Sequence, residues 1–416
     1  MISDTKKRVV YTDRIIWFLG VCCLFFVIMM KYRPISNTES IFVRSHEKSY
    51  FVNEKTRIFD FEGADTSINL PNIVKKTRIN TTYKLDNLYD FERIGDIGND
   101  AQIPDLKEIN NKISEQYIEI VEMENIFFDN DGIFYIDEHL YSTDCECHYR
   151  YCEEKNKYGP DKLQGYSYVE YDHVLAITHE YSFYYAHFLI DFLPSFLMVP
   201  KMVLDRAFIM VSHPQKFVIS GFEALGIPTS KIISLGDKEF VFAKHYYTVL
   251  PILCTEFNAY LLLNLRTTIA NKYNLDRSPP FRYVLYARVN GYRNFTNFPD
   301  VMKGLVKNLP QVNWEYLKAD GHLEEQAKTY NEVKVFISMH GASFANTLFM
   351  QKDTVVGEIQ VDRWVNNYLW VSAFTQKHHL LMRNKSVQWR GETENYISVE
   401  IVTKMARRAL EILKIV

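Results

Sequence analysis

Along residues 333–359 the hydrophobic pattern changes period twice. Val333, Val335 and Ile337 alternate with Lys334, Phe336 and Ser338, which predicts a mostly buried strand. His340, Gly341 and Ala342 follow as a tight loop. FANTLFM then reads as a helix with Ser343 placed to cap it, and TVVGEIQ as the next strand. A helix start leaves N–H groups unpaired at the positive end of its dipole, which suits phosphate, and Gly341 lets a ligand approach the backbone. Glu358 arrives near the carboxyl end of its strand, where open α/β sheets place their ligand crevice.

The alternation of strands and helices extends upstream. HVLAIT reads as a strand, AHFLIDFLPSFLMV as a helix and AFIMVS as a strand. FVISGFEALGI follows as a helix ending at Gly226, KIISLG and YYTVLPIL as strands, and NAYLLLNLRTTIANKYNL as a long helix. LDRSPP, residues 275–280, punctuates the chain. The pattern then restarts: RYVLYAR and VNWEYLK are strands, and PDVMKGLVKNL and HLEEQAKTYNEV are helices. This succession predicts parallel sheets with helices on both faces, in two consecutive α/β halves around residue 277. Ahead of them, NIFFDNDGIFYID reads as a hairpin turning at Asp129-Asn130-Asp131-Gly132, and residues 31–115 as a stem and lead-in, partly ordered at best.

Several side chains carry candidate chemistry. His187 and Asp191 are four apart on a helical stretch, so they share a face and can hydrogen-bond. That pair suits a general base held by a carboxylate, and equally a buried polar pair that satisfies itself. Arg288 and Arg293, with Asn297, follow a strand end and can clamp a diphosphate or simply be solvated. Gly341-Ala342-Ser343-Phe344-Ala345, followed by Asp362 and His378, has the residue order of a hydrolase nucleophile elbow, but Ala345 stands where that motif needs glycine.

Residues 15–30, IIWFLGVCCLFFVIMM, are uncharged and apolar, with Lys6, Lys7, Arg8 and Arg14 before them against Lys31 and Arg33 after. This predicts a single signal-anchor with a cytoplasmic tail at 1–14 and a lumenal remainder. Its length, roughly 24 Å at 1.5 Å per residue, suits the thinner membranes of the early secretory pathway. In that oxidising compartment Cys145, Cys147, Cys152 and Cys254 are expected in disulfides, with a zinc site the alternative for the first three. Sequons at Asn80, Asn294 and Asn384 agree with lumenal exposure. A net charge of −3 gives no electrostatic case for nucleic acid. The 15% aromatic content supports a large aromatic core, and aromatic-rich clefts also stack on sugars.

Four blocks in order resemble glycosyltransferase family 61. They are Tyr184-Tyr185-Ala186-His187-Phe188 with Asp191 and Pro194; Arg288, Arg293 and Asn297; Glu324-Glu325-Gln326; and His340-Gly341-Ala342 with Asn346, Phe349 and Met350, continuing to Glu358. The resemblance covers roughly residues 120–400. It implies two Rossmann-like domains facing a cleft (GT-B type), at 116–276 on the acceptor side and 277–416 on the nucleotide-sugar side. It also implies an inverting, metal-independent transfer of GlcNAc or a pentose such as xylose from a UDP-sugar to a protein or glycan hydroxyl, without a further cofactor. The expected location is the Golgi or endoplasmic reticulum membrane, with a glycoprotein or polysaccharide acceptor. Catalytic roles fall on His187 and Asp191. Donor binding falls on Arg288, Arg293, Asn297, Gln326, His340, Gly341, Ala342, Ser343, Asn346 and Glu358, the last on the ribose. The Asp-x-Asp at Asp129 and Asp131, a metal signature in other sugar-nucleotide transferases, reads here as turn chemistry. Phe298 stands where the family usually has Glu, which leaves a catalytically inactive lumenal binding protein as the alternative.

Overall fold

In the computed structural model of the chain, residues 49–51, 73–142 and 167–416 are described, apart from short stretches such as 84–88, 130–132, 178–180, 251–256, 289–292 and 388–394. The candidate signal-anchor at 15–30, all six cysteines and the sequon Asn294 lie outside the described residues. No helix among the described residues is long and apolar enough to cross a membrane.

The second half of the chain builds the simpler layer. Strands β11 (Arg282–Tyr286), β12 (Trp314–Glu315), β13 (Val333–Met339), β14 (Val355–Gln360) and β15 (His378–Arg383) join β3 (Phe91–Arg93) in a parallel sheet of order β12-β11-β13-β14-β15-β3. Alternation along these strands sends their two sets of side chains to different helical layers. Val335, Ile337, Val355, Ile359, Leu380 and Met382 pack with Val301, Leu305, Val402, Met405 and Ala409 of helices Phe298–Asn308 and Val399–Ile412. Gly357 belongs to this face, where a Cβ would stand 2.7 Å from Met405 Sδ. Ser338, Glu358 and Leu381 are in register on the opposite face. Helix Leu323–Asn331, the 3-10 helix Ala342–Phe349 and helix Asn367–Phe374 lie on the sides not filled by that cluster.

The other sheet differs from the parallel one expected. Strands β1 (Ser49–Phe51), β2 (Ile73–Asn80), β4 (Tyr117–Phe128), β5 (Ile133–Ile136), β6 (His139–Ser142), β7 (Ser167–Ala176), β8 (Phe208–Val211), β9 (Ile232–Ser234) and β10 (Glu239–Leu250) form a mixed sheet of order β6-β5-β4-β10-β7-β8-β9. The run β10-β7-β8-β9 is parallel, whereas β4 pairs antiparallel with β10, β2 and β5. Short connections permit only antiparallel neighbours, so the β4–β5–β6 hairpins fix the direction of this edge. The hairpin expected at residues 125–137 is present in the pairing of β4 with β5.

Three further expectations are corrected. The lead-in 31–115 contributes structure to both sheets: β2 lies along β4, and β3 forms the edge beside β15. Arg408 Nε meets Glu92 Oε1 at 2.7 Å, and Arg383 Nη1 donates to Ile97 O, which ties this early segment to the C-terminal helix and strand. The helix expected over 186–199 is three short helices: α over Tyr185–His187, π over Phe188–Phe192 and 3-10 over Leu193–Met198. Pro194 cannot donate the next helical hydrogen bond, and Leu193 N–H reaches back five residues to Phe188 O. FANTLFM lies inside the 3-10 helix Ala342–Phe349, so Ser343 sits within the helix rather than capping it. Elsewhere capping follows the sequence: Asn258 Oδ1 accepts from Leu261 N at 3.1 Å, and Asn274 ends the helix Ala259–Tyr273 in the left-handed conformation.

A chain starting at residue 116 would expose the outer edges of β4 and β15. It should aggregate or lose cooperative unfolding, where the chain carrying residues 46–115 stays monodisperse. Gel filtration with urea denaturation measures both.

Candidate active site

The carboxylate of Glu358 has no solvent exposure. Its register against Ser338 and Leu381 points it off the second sheet toward the 3-10 helix and helix Asn367–Phe374. His340 Nδ1 donates to Glu358 Oε1, and His379 Nε2 donates to Oε2 at 3.0 Å. Behind them, Ser372 Oγ stands 2.8 Å from His379 Nδ1 and supplies the proton for that nitrogen. Burial opposes ionisation, yet the two imidazole donors outweigh it and hold the Glu358 carboxyl at about 2. Each oxygen accepts from an imidazole inside the protein, and Glu358 thereby fixes the tautomer and plane of His340.

His340 in turn fixes the loop. Its backbone N–H donates to Ile359 O at 2.9 Å, and its carbonyl accepts from Arg293 Nη1 at 3.2 Å. Gly341 is fully extended, and a Cβ there would stand 2.4 Å from Arg288 Nη2 and 3.1 Å from its Cζ. Glycine here lets the Arg288 guanidinium lie against the backbone, and a Cβ would displace it. The two arginines flank one loop. Burial, then the charge of Arg288, pushes the Arg293 guanidinium down to about 10. Tyr368 stands nearby, its ring centroid 5.1 Å from that of His340. Its hydroxyl is raised first by burial, then by the Glu358 charge, while Arg288 and Arg293 oppose and Asp191 adds to the rise. Ser343 Oγ is buried close by in sequence without a hydrogen-bond partner among the described residues.

Asp191 belongs to the other half. It is 1% exposed and accepts from His187 Nδ1 at 2.6 Å, while the His187 side chain stays 27% exposed. The i, i+4 spacing survives the change from α to π geometry because His187 ends the α turn. Tyr185, two residues earlier, donates to Asn346 Oδ1, and Asn346 Nδ2 donates to Gln326 Oε1 at 2.6 Å. This chain of side chains fastens Tyr185–His187 to the 3-10 helix and to helix Leu323–Asn331.

The structure therefore sorts the expected donor residues. Arg288, Arg293, His340, Gly341, Ala342 and Ser343 lie on or beside one loop, and His187 with Asp191 stands on the segment that Tyr185 fastens to the helix following that loop. Asn346 and Gln326 are buried and satisfy each other, which makes them fasteners. Asn297 is also buried and occupied: its Nδ2 donates to Ile397 O at 2.8 Å and its Oδ1 accepts from Ile397 N at 2.9 Å. Phe298, where the resemblance expects Glu, packs edge-on against Tyr316 at 5.4 Å. Asp362 follows the carboxyl end of β14, whereas His378 begins β15 opposite Val355, roughly 20 Å away along strands rising about 3.3 Å per residue. No Ser343–Asp362–His378 triad exists. Of the remaining sequons, Asn80 is exposed and accepts from Thr82 N at 2.8 Å, while Asn384 Nδ2 donates to Tyr396 O at 2.9 Å. Asp129 is buried at the hairpin, and Asn130, Asp131 and Gly132 lie outside the described residues. Sequence reasoning missed Tyr185, Tyr368, Ser372 and His379, since no recognisable spacing links them to the loop they support.

A histidine held by a carboxylate stands in one half, and a pair of arginines on a loop in the other. Residues 185–357 match the model of the family Glycosyltransferase 61. Glycosyltransferase activity, with a nucleotide-sugar donor, is what that family implies. No curated protein matches the chain.

Two outcomes are expected. Gly341→Ala should displace the Arg288 guanidinium, changing stability by about 1 kcal/mol or less but weakening UDP binding at least tenfold in calorimetry. Glu358 has a folded pKa below its ordinary 4.5, so its stabilisation is present above about 4.5 and is lost as pH falls toward 2. Glu358→Gln should destabilise by about 3 kcal/mol at neutral pH, and the gap to the unaltered protein should close through that acid window in denaturant titrations.

Proposed function

We propose that the chain is an inverting glycosyltransferase that moves a sugar from a UDP-sugar to a hydroxyl of a glycoprotein or glycan. The two α/β halves act as the walls of a GT-B cleft. His187, oriented through Nδ1 by Asp191, takes the acceptor hydroxyl proton on Nε2 as that oxygen attacks the anomeric carbon. The bond from that carbon to the diphosphate oxygen breaks with its electron pair, and the charge leaves on UDP. Arg288 and Arg293, with the first N–H groups of the 3-10 helix, stabilise that charge. Ser343 Oγ supplies a further donor to the diphosphate.

What carries this reading is the Tyr185–Asn346–Gln326 hydrogen-bond chain, which fastens the segment bearing His187 to the 3-10 helix that follows Gly341. The buried, unpartnered Ser343 hydroxyl supports it, since a ligand oxygen there would satisfy an orphaned donor. A single-pass membrane anchor at residues 15–30 and a lumenal Golgi or endoplasmic reticulum setting complete the proposal; the charge bias around that segment supports them. GlcNAc and xylose are the donor sugars to try first.

Thermal shift of the purified protein with a panel of UDP-sugars identifies the donor. His187→Ala and Asp191→Asn should then each lower kcat by about 10²–10⁴-fold while the affinity for UDP is unchanged. Full turnover in either variant would remove His187 as the base.

A further inference from the structure

Immediately before His187 the chain makes a tight turn whose surface is almost entirely aromatic. Tyr184 N–H donates to Tyr181 O at 2.9 Å, closing the turn, and Gln215 Nε2 holds Phe183 O at 3.2 Å. Ser182 points inward and is 8% exposed. Tyr184 stands at the surface, and Tyr181 and Phe183 are half-buried beside it. Tyr184 is 51% exposed, a large area for a ring backed by other rings. The Phe183 ring lies 4.1 Å behind it, and His213 braces Phe183 edge-on at 5.5 Å. Tyr181 lies 6.2 Å from Tyr184 and stacks on the His187 imidazole at 5.4 Å with 26° between the planes. Tyr184 itself is 6.5 Å from His187.

We propose that Tyr181 and Tyr184 form an acceptor subsite that takes the C–H face of a pyranose ring, so that the acceptor is a sugar rather than a bare peptide side chain. The inference rests on the transferase reading above and adds the class of acceptor to it. The exposed Tyr184 ring, packed against Phe183 on a turn held by Tyr184 N–H to Tyr181 O and Gln215 Nε2 to Phe183 O, is an apolar face with a hydroxyl at its rim. Axial C–H groups of a pyranose match that face, and equatorial hydroxyls reach past its edge. Rings that stack lie with centroids about 4.5–7 Å apart, the same span that separates Tyr184 from His187. A pyranose on Tyr184 lies beside His187, whose side chain stays partly exposed and whose Nδ1 is already committed to Asp191. A peptide serine offers no comparable face, and would leave this aromatic surface uncovered in the reacting complex.

Saturation-transfer NMR on the full chain with UDP tests the subsite, using methyl α-mannopyranoside, methyl β-xylopyranoside and N,N′-diacetylchitobiose as probes. At least one probe should show saturation concentrated on the C–H protons of one ring face. Tyr184→Ala and Tyr184→Leu should each weaken that probe about tenfold, Leu because it keeps apolar bulk without a flat face, whereas Tyr184→Trp should retain it. Tyr184 is half exposed, and unchanged melting temperature with unchanged UDP binding confirms that the variants stay folded. Equal probe binding in Tyr184→Leu and the unaltered protein would overturn the subsite, as would UDP binding accompanied by no sugar binding at all. Failure of UDP itself to bind would instead overturn the transferase reading, and Tyr184-dependent sugar binding in that case would leave the subsite standing.

Discussion

A carboxylate with no solvent exposure has to be answered by donors, and Glu358 is answered by two histidines from different places in the chain. Left unpaired, such a charge would destabilise the fold by several kcal/mol, so the arrangement constrains everything that touches it. His379 must emerge from β15 in register beside β14, Ser372 must stand behind it, and His340 must leave β13 with its ring turned inward. The loop after His340 inherits that orientation. Arg293 binds its carbonyl, and the Arg288 guanidinium lies against the next residue, a glycine whose missing Cβ leaves room for it. Two like charges are thereby held beside a common loop without drifting apart into solvent.

The same layer joins the two halves. The Tyr185–Asn346–Gln326 chain runs from the segment carrying His187 to the helix that follows Gly341, so the base and the arginine loop are fastened by buried side-chain hydrogen bonds. Sidedness of the second sheet makes this possible. One face is spent on the aliphatic cluster under helices Phe298–Asn308 and Val399–Ile412, which leaves the other free for polar and aromatic groups. Its polar contacts carry the chemistry while the aliphatic face supplies the burial.

Much of this was legible in the sequence where one physical signal dominated. Alternation marked β13, β14, β11 and β8, and apolar stripes marked helices Ala259–Tyr273 and Phe298–Asn308, because each buries one face. Strand β2 was invisible: IVKKTRIN is mostly exposed and carries no alternation to detect. The antiparallel edge of the first sheet was invisible for another reason, since period alone says nothing of strand direction. At the site, His187, Asp191, Arg288, Arg293, His340 and Gly341 could be chosen from residue type and spacing. Glu358, Asn297, Asn346 and Gln326 were chosen by the same signals, but their buried intramolecular partners were not legible, because which protein groups a polar side chain meets depends on packing. His379 and Tyr368 are brought in by the register of β15 and by the helix before it, and neither leaves a trace in spacing.

The division of labour between the halves has a physical logic. In the proposed transfer the leaving-group side must hold two cations near each other before any anion arrives, and burial, then repulsion from Arg288, already lowers the Arg293 pKa. Only a stiff support can maintain that, and the support is a parallel sheet with a buried carboxylate behind the loop. The base side needs the opposite: a histidine that stays partly exposed and is oriented by a single carboxylate, on a segment where the helix changes from α to π at the histidine itself. A π turn widens the helix locally and lets Asp191 turn inward while His187 remains at the surface. Preorganised charge on a sheet-backed loop and an accessible histidine on a locally irregular helix are what the proposed inverting transfer would require of the two halves.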